Sequence, residues 1–274
     1  MTFRNRNIFS STPPVVMNLI MINVVMMVIT WVVAGTFGVD LNRILGVYPP
    51  GSPEFRPYQI VTHMFMHGGF VHLFFNMFAL WMFGRVLEQV WGSRRFFIYY
   101  MVTGLGAVTI HLLVNYLQIS AIQREAIAML NTPSPDAFAA FVTRHFPGYY
   151  DQVYANFLDK WYLSPTSTVF ADQAAEYVRQ LILLQQSIPT VGASGAVYGV
   201  LLAFGMLFPN TILMLLFPPI PIKAKWMVIV YVGLELYLGL TQPGSSIAHF
   251  AHLGGMIFGF ILIKLWQKRT DVFY

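Results

Sequence analysis

Gly192-Ala193-Ser194-Gly195-Ala196-Val197-Tyr198-Gly199 sets a serine among small residues, where polar sequence turns apolar. The apolar run continues to about Pro209, so Ser194 stands at the mouth of a membrane helix. A hydroxyl there reads as a candidate nucleophile. It would need a base, an oxyanion site and a protected cavity from the rest of the chain.

Composition bounds the setting. Charged residues are 10% of the 274 and hydrophobic residues 57%, with mean hydropathy +0.61. A soluble domain carries about 25% charged residues. The expected fold is therefore all-α, a polytopic membrane bundle, because helices satisfy their own backbone in lipid. There is no cysteine, which excludes disulfides and thiolate chemistry. The net charge of +5 does not read as a nucleic-acid surface. Its basic residues flank apolar runs, where membrane topology puts them. Arg4 and Arg6 precede an apolar run without a small-residue cleavage site, which reads as a retained helix.

Six spans are expected: Val15 to Gly35, about Phe70 to Val90, about Phe96 to Tyr116, Ser194 to about Pro209, about Trp226 to Leu240, and about Ile247 to Trp266. In the first, Asn18, Asn23 and Thr30 should seek protein neighbours rather than lipid. The connector 36–69, with Pro49-Pro50-Gly51-Ser52-Pro53 at its centre, is long for a link between spans. Residues 117–187 break the membrane pattern with scattered charges. Ser134-Pro135-Asp136 is a helix-start signal there. Phe138, Phe141 and Val142, then Tyr150, Tyr154, Phe157 and Trp161, recur at helical spacing. The expected organisation is 1–116 (three spans with a long outward loop), 117–187 (a helical insertion) and 188–274 (three spans).

Six spans put both termini on one side. Arg4, Arg6, Arg85, Arg94, Arg95, Lys223, Lys225, Lys264, Lys268 and Arg269 fall on that side. The positive-inside rule makes it cytoplasmic. Ser194 then opens its helix from the outer side, level with His249 and His252 in the sixth span and His72 and Asn76 in the second. A serine hydroxyl needs a base, and histidine suits that role near neutral pH. No buried aspartate is evident, so the expectation is a Ser-His dyad. His72 and Asn76, four apart on one helix face, are candidate oxyanion donors with the Ser194 amide. Gly195 and Gly199, and Gly255 and Gly259, are small residues at the spacing that lets membrane helices approach. That approach would bring His252 to Ser194. His252 is preferred to His249 because it precedes Gly254-Gly255.

The serine stretch with Tyr198, the His72-x-x-x-Asn76 pair, and Ala251-His252-Leu253-Gly254-Gly255 with Gly259 together resemble the rhomboid family of intramembrane serine proteases. Arg85 to Gly92 looks like the end of that family's second helix. Phe55-Arg56-Pro57 is similar to its aromatic-arginine element but has phenylalanine where tryptophan is usual. The resemblance covers the six-span core, outside 117–187. It implies a nucleophile at Ser194, a general base at His252, oxyanion help from His72 and Asn76, and a Tyr198 ring packed on the histidine. It further implies cleavage of transmembrane or juxtamembrane segments of protein substrates, without cofactor. Substrate would enter from the bilayer past the fifth helix, beneath a 241–246 cap. The expected setting is a bacterial inner membrane.

Other readings compete. Ser194 alone would be helix glue, and the aromatic stripe of the insertion is ordinary packing. His63, His67 and His72 lack a carboxylate or thiolate partner, so no metal is expected there. Glu235 should face a water-filled cavity or pair with a polar neighbour, since a lipid-facing carboxylate is costly. A catalytically inactive relative that binds transmembrane clients is the rival function. A transporter would show repeated halves, and none is evident.

Overall fold

The first helix, α1 (Pro14–Phe37), begins at a proline pair, where the missing amide costs nothing, and stops at Gly38 (φ +67°). Asn23 and Thr30 are buried and donate to the carbonyls of Leu19 and Met26. Asn18 differs from expectation: it is exposed. These observations come from a computed structural model that describes residues 12–214, 219–241 and 248–267. Arg4, Arg6, Pro218, the 242–246 turn, Lys268 and Arg269 lie outside the described residues.

The remaining long helices are α2 (Phe70–Trp91), α3 (Ser93–Asn131), α4 (Pro135–His145), α5 (Thr168–Gln186), α6 (Ser194–Leu207), α7 (Ala224–Thr241) and α8 (His249–Gln267). Among the described residues, α1, α2, α3, α7 and α8 are long and apolar enough to cross a membrane. The protein is an integral, multi-pass, all-α membrane bundle. The sixth apolar helix, α6, has 14 residues. At about 1.5 Å per residue it covers about 21 Å, against about 30 Å of hydrocarbon. The short span leaves room for Ser194 to lie below the membrane surface.

Two features depart from the sequence reading. α3 runs 39 residues without a break, well past Tyr116. No glycine or proline occurs between Ala107 and Thr132, and Pro133 is the first residue that cannot continue the helix. Between α6 and α7 stands a short antiparallel hairpin, β1 (Ile212–Met214) against β2 (Pro221–Lys223), where only a loop was expected.

The chain forms two compact units. The first comprises Met1–Val47, Arg56–Leu112 and Pro189–Tyr274. Its core is a cluster of buried apolar residues that includes Leu19, Met64, Leu80, Phe96, Tyr100, Val200 and Met256. Glu88, 2% exposed, accepts from the amides of Val15 (2.9 Å) and Val16 (2.8 Å) and from Ser93 Oγ (2.7 Å). It satisfies the orphan donors of α1 and holds that helix to the end of α2. At the same end of the bundle, Arg95 lies 4.3 Å over the ring of Trp266.

The second unit comprises Tyr48–Phe55 and Leu113–Ile188. Ser134 caps α4, accepting from the Ala137 amide at 3.2 Å, as the start signal implied. Phe138, Val142, Leu158 and Trp161 are fully buried there, with Ala174, Val178 and Leu181 of α5. Glu125 pairs with Arg144 (2.6 Å) and His145 (2.8 Å).

Candidate active site

α6 enters the site through a constrained strand of backbone. Val47 and Thr190 exchange hydrogen bonds of 2.9 and 2.8 Å, and the Gly192 amide donates to the His63 carbonyl at 2.9 Å. These contacts fix the turn before Ser194 against the connector. Gly192 has φ +135°, a conformation that L side chains rarely adopt. An added Cβ would lie 3.0 Å from His72 Nε2 and 3.5 Å from Ser194 Oγ. The glycine therefore keeps a small space open between the His72 ring and the hydroxyl.

His252 Nε2 lies 2.8 Å from Ser194 Oγ, although 58 residues separate them. Gly255 makes this possible. A Cβ there would overlap the Gly195 carbonyl, so α8 and α6 touch backbone to backbone. The other expected glycine contacts differ in partner. Gly195 backs on Ala107, Gly199 on Thr103, and Gly259 on the Tyr99 hydroxyl, all in α3. The small residues thus form a three-helix junction, with Tyr99 donating to the Gly199 carbonyl at 2.8 Å.

The Tyr198 ring stacks on His252 with centroids 4.1 Å apart and planes 5° from parallel. Its hydroxyl donates to Glu235 Oε1 at 2.6 Å. His249, the rival histidine, does not meet Ser194: its Nδ1 lies 2.7 Å from Glu235 Oε2. His252 Nδ1 is 3.0 Å from Glu235 Oε1, an ion-pair contact rather than an aligned hydrogen bond. An acid therefore stands behind the histidine, contrary to the expectation of a bare pair. It is a glutamate on α7, and no spacing in the sequence ties it to His252. The signal was there: α7 carries one acid in an otherwise apolar helix.

Glu235, His249 and His252 bring together one carboxylate and two imidazoles, three groups that could ligate a metal. Tetrahedral zinc with bonds of about 2.0–2.2 Å would hold its ligand atoms about 3.3 Å apart. The contacts are shorter than that: 2.7 Å for a hydrogen bond to His249 and 3.0 Å for an ion-pair contact to His252.

The two residues of the expected oxyanion pair have different surroundings. His72 faces the space at Gly192. The Asn76 amide instead donates to the His72 carbonyl at 3.0 Å, within its own helix. His67 packs edge-on to His72 with centroids 5.0 Å apart. His63, outside the spans, donates from Nδ1 to the Gln59 carbonyl at 3.0 Å, and burial lowers its pKa to about 4. Burial and the neighbouring His72 lower that of His67 to about 3. Both rings are neutral at ordinary pH. His111 Nε2 meets Thr190 Oγ1 at 2.8 Å. Beside Ser194, a cavity of about 20 Å³ is lined by His63, His111, Thr190, Gly192 and Ala251, room for about one water.

The rhomboid domain model matches residues 54–122 and 162–269 of this chain. The chain belongs to the rhomboid family. The match takes in every residue of the site, from His63 to His252, and passes over 123–161. Among relatives, this rhomboid is 25% identical over 217 residues to Rhomboid protein 1, mitochondrial, of Saccharomyces cerevisiae, covering 78% of this chain and 44% of that one. It is 28% identical over 231 residues to an uncharacterized mitochondrial rhomboid protein of Schizosaccharomyces pombe, covering 79% and 53%. It is 38% identical over 48 residues to Rhomboid protease GluP of Bacillus subtilis, covering 18% and 10%. This rhomboid thus spans about half the length of the two yeast relatives.

Proposed function

We propose that this rhomboid is an intramembrane serine endopeptidase that cleaves transmembrane or juxtamembrane segments of membrane proteins. The observation that carries the reading is the 2.8 Å contact between His252 Nε2 and Ser194 Oγ, in a helix too short to lift the serine to the surface. His252 takes the hydroxyl proton as Oγ attacks the peptide carbonyl. The oxyanion develops in the space kept open by Gly192, beside His72 and the first amides of α6, which the helix itself gives no acceptor. Asn76 supports this indirectly through the His72 backbone. His252 then gives its proton to the leaving amine. A water from the cavity lined by His63, His111 and Thr190 hydrolyses the acyl-enzyme, and Ser194 regains its proton.

The reading needs no cofactor. Its partners are single membrane-spanning protein segments reaching the site from the bilayer. We place it in a bacterial inner membrane with both termini cytoplasmic. Supporting that orientation, Arg85, Arg94, Arg95 and Lys264 gather at the bundle end opposite Ser194.

Labelling with a fluorophosphonate serine probe in detergent tests the reading. Wild type should label, and Ser194→Ala and His252→Ala should not, while all three melt at similar temperatures. Labelling that persists in Ser194→Ala overturns the nucleophile. A folded wild type that never labels favours an inactive protein that binds transmembrane clients.

A further inference from the structure

Glu235 is 6% exposed in a helix of apolar residues. A lone carboxylate at the centre of a membrane helix is costly even on the mildest scale. Here it accepts from the Tyr198 hydroxyl at 2.6 Å and from His249 Nδ1 at 2.7 Å, and lies 3.0 Å from His252 Nδ1 at ion-pair distance. These groups come from two helices, α6 and α8. The carboxylate is thereby anchored by two hydrogen bonds beside His252.

The protonation pattern follows from the other face of the ring. For Ser194 Oγ to give its proton to Nε2, Nε2 must be bare. The single proton of the neutral imidazole then sits on Nδ1, the nitrogen that faces Glu235. A carboxylate at that position favours this tautomer and penalises the other. When Nε2 takes the serine proton, the imidazolium forms 3.0 Å from a fixed negative charge. A water-poor site makes that attraction stronger than it would be in bulk.

We propose that Glu235 is a positioning residue for His252, so that Ser194, His252 and Glu235 act as one chain, a hydrogen bond followed by an ion-pair contact, spanning α6, α8 and α7. Tyr198 and His249 bracket the carboxylate. Tyr198 serves twice, since its ring also stacks on the imidazole. The proposal rests on the reading of Ser194 as nucleophile and His252 as base. It adds a requirement that reading lacks: a charge on α7, a helix that carries no motif of the site.

A purely structural role, pinning α7 to its neighbours, would have a different signature. The test uses the full chain in detergent and the concentration dependence of fluorophosphonate labelling, which separates probe affinity from the maximal rate. Glu235→Gln keeps the shape and loses the charge. Its maximal labelling rate per folded molecule should fall at least about 100-fold, by analogy with the loss when a triad carboxylate is neutralised. Probe affinity and melting temperature should change little, and Glu235→Asp should recover at least tenfold over Glu235→Gln. A maximal rate equal to wild type in folded Glu235→Gln overturns the proposal.

A second measurement needs no Glu235 variant. Ring-¹⁵N NMR of histidine-labelled wild type, with His252 assigned by its loss in His252→Ala, reads the tautomer. A proton on Nδ1 supports the proposal, and a proton on Nε2 in the resting protein overturns it. The two levels of failure stay apart. Labelling that survives in Ser194→Ala or His252→Ala ends the protease reading. Dead controls beside a fully active Glu235→Gln end this inference alone.

Discussion

Gly192 shows how one missing side chain builds a site. Its φ is +135°, and a methyl group added there would sit 3.0 Å from His72 Nε2, so the His72 ring would have to shift. Gly192→Ala would carry backbone strain of about 1–3 kcal/mol. It would also put carbon 3.5 Å from Ser194 Oγ, in the space that the proposed mechanism gives to the oxyanion. Loss of one oxyanion donor costs about 10²–10³ in rate, and a methyl group that bars the oxyanion from His72 would act like such a loss. Gly192→Ala should therefore reduce the fluorophosphonate labelling rate at least about 100-fold. A labelling time course on protein that still melts cooperatively checks this. Near-normal labelling would mean that the oxyanion lies on another side of the serine.

At the scale of the element, the helices were legible and their ties were not. Apolar runs near 20 residues put α1, α2, α7 and α8 close to their observed bounds, since the hydrocarbon thickness sets their length. The end of α3 was misread because composition changes at Tyr116 while the helix does not break until Pro133. Ser194 and His252 could be paired because glycines beside each signal close approach. Glu235 could not, because a single acid announces that it needs a partner without saying which. Glu88 is the same case: in sequence it belonged to a charged helix end, and in the fold it caps another helix. It accepts two α1 amides at 2.9 and 2.8 Å. Hydrogen bonds to a charged group are worth about 1.5–3 kcal/mol each, so Glu88→Ala should lower stability by at least about 2 kcal/mol. Reversible unfolding in detergent and denaturant measures it. An unchanged midpoint would show that the α1 amides find other acceptors at no cost.

Across the whole molecule, the site and the insertion draw on separate cores. Every residue named at the site belongs to the first unit. The second unit has its own aromatic cluster, in which Trp161 is 0% exposed and packs against Phe138 and Phe157 with centroids 5.9 and 5.4 Å away. Removing a buried tryptophan side chain costs about 3–5 kcal/mol. That is a large share of what a unit of this size can hold, since whole domains are stable by about 5–15 kcal/mol. Trp161→Ala should therefore open the second unit locally, exposing backbone within 132–187 to a soluble protease. Ser194 should go on reacting with the fluorophosphonate at its wild-type rate, because none of its contacts passes through Trp161. Limited proteolysis and probe labelling on the same sample read both effects. If labelling collapses together with the insertion, the two cores fold as one cooperative body, and the 123–161 segment that the family model passes over is a structural support for the serine.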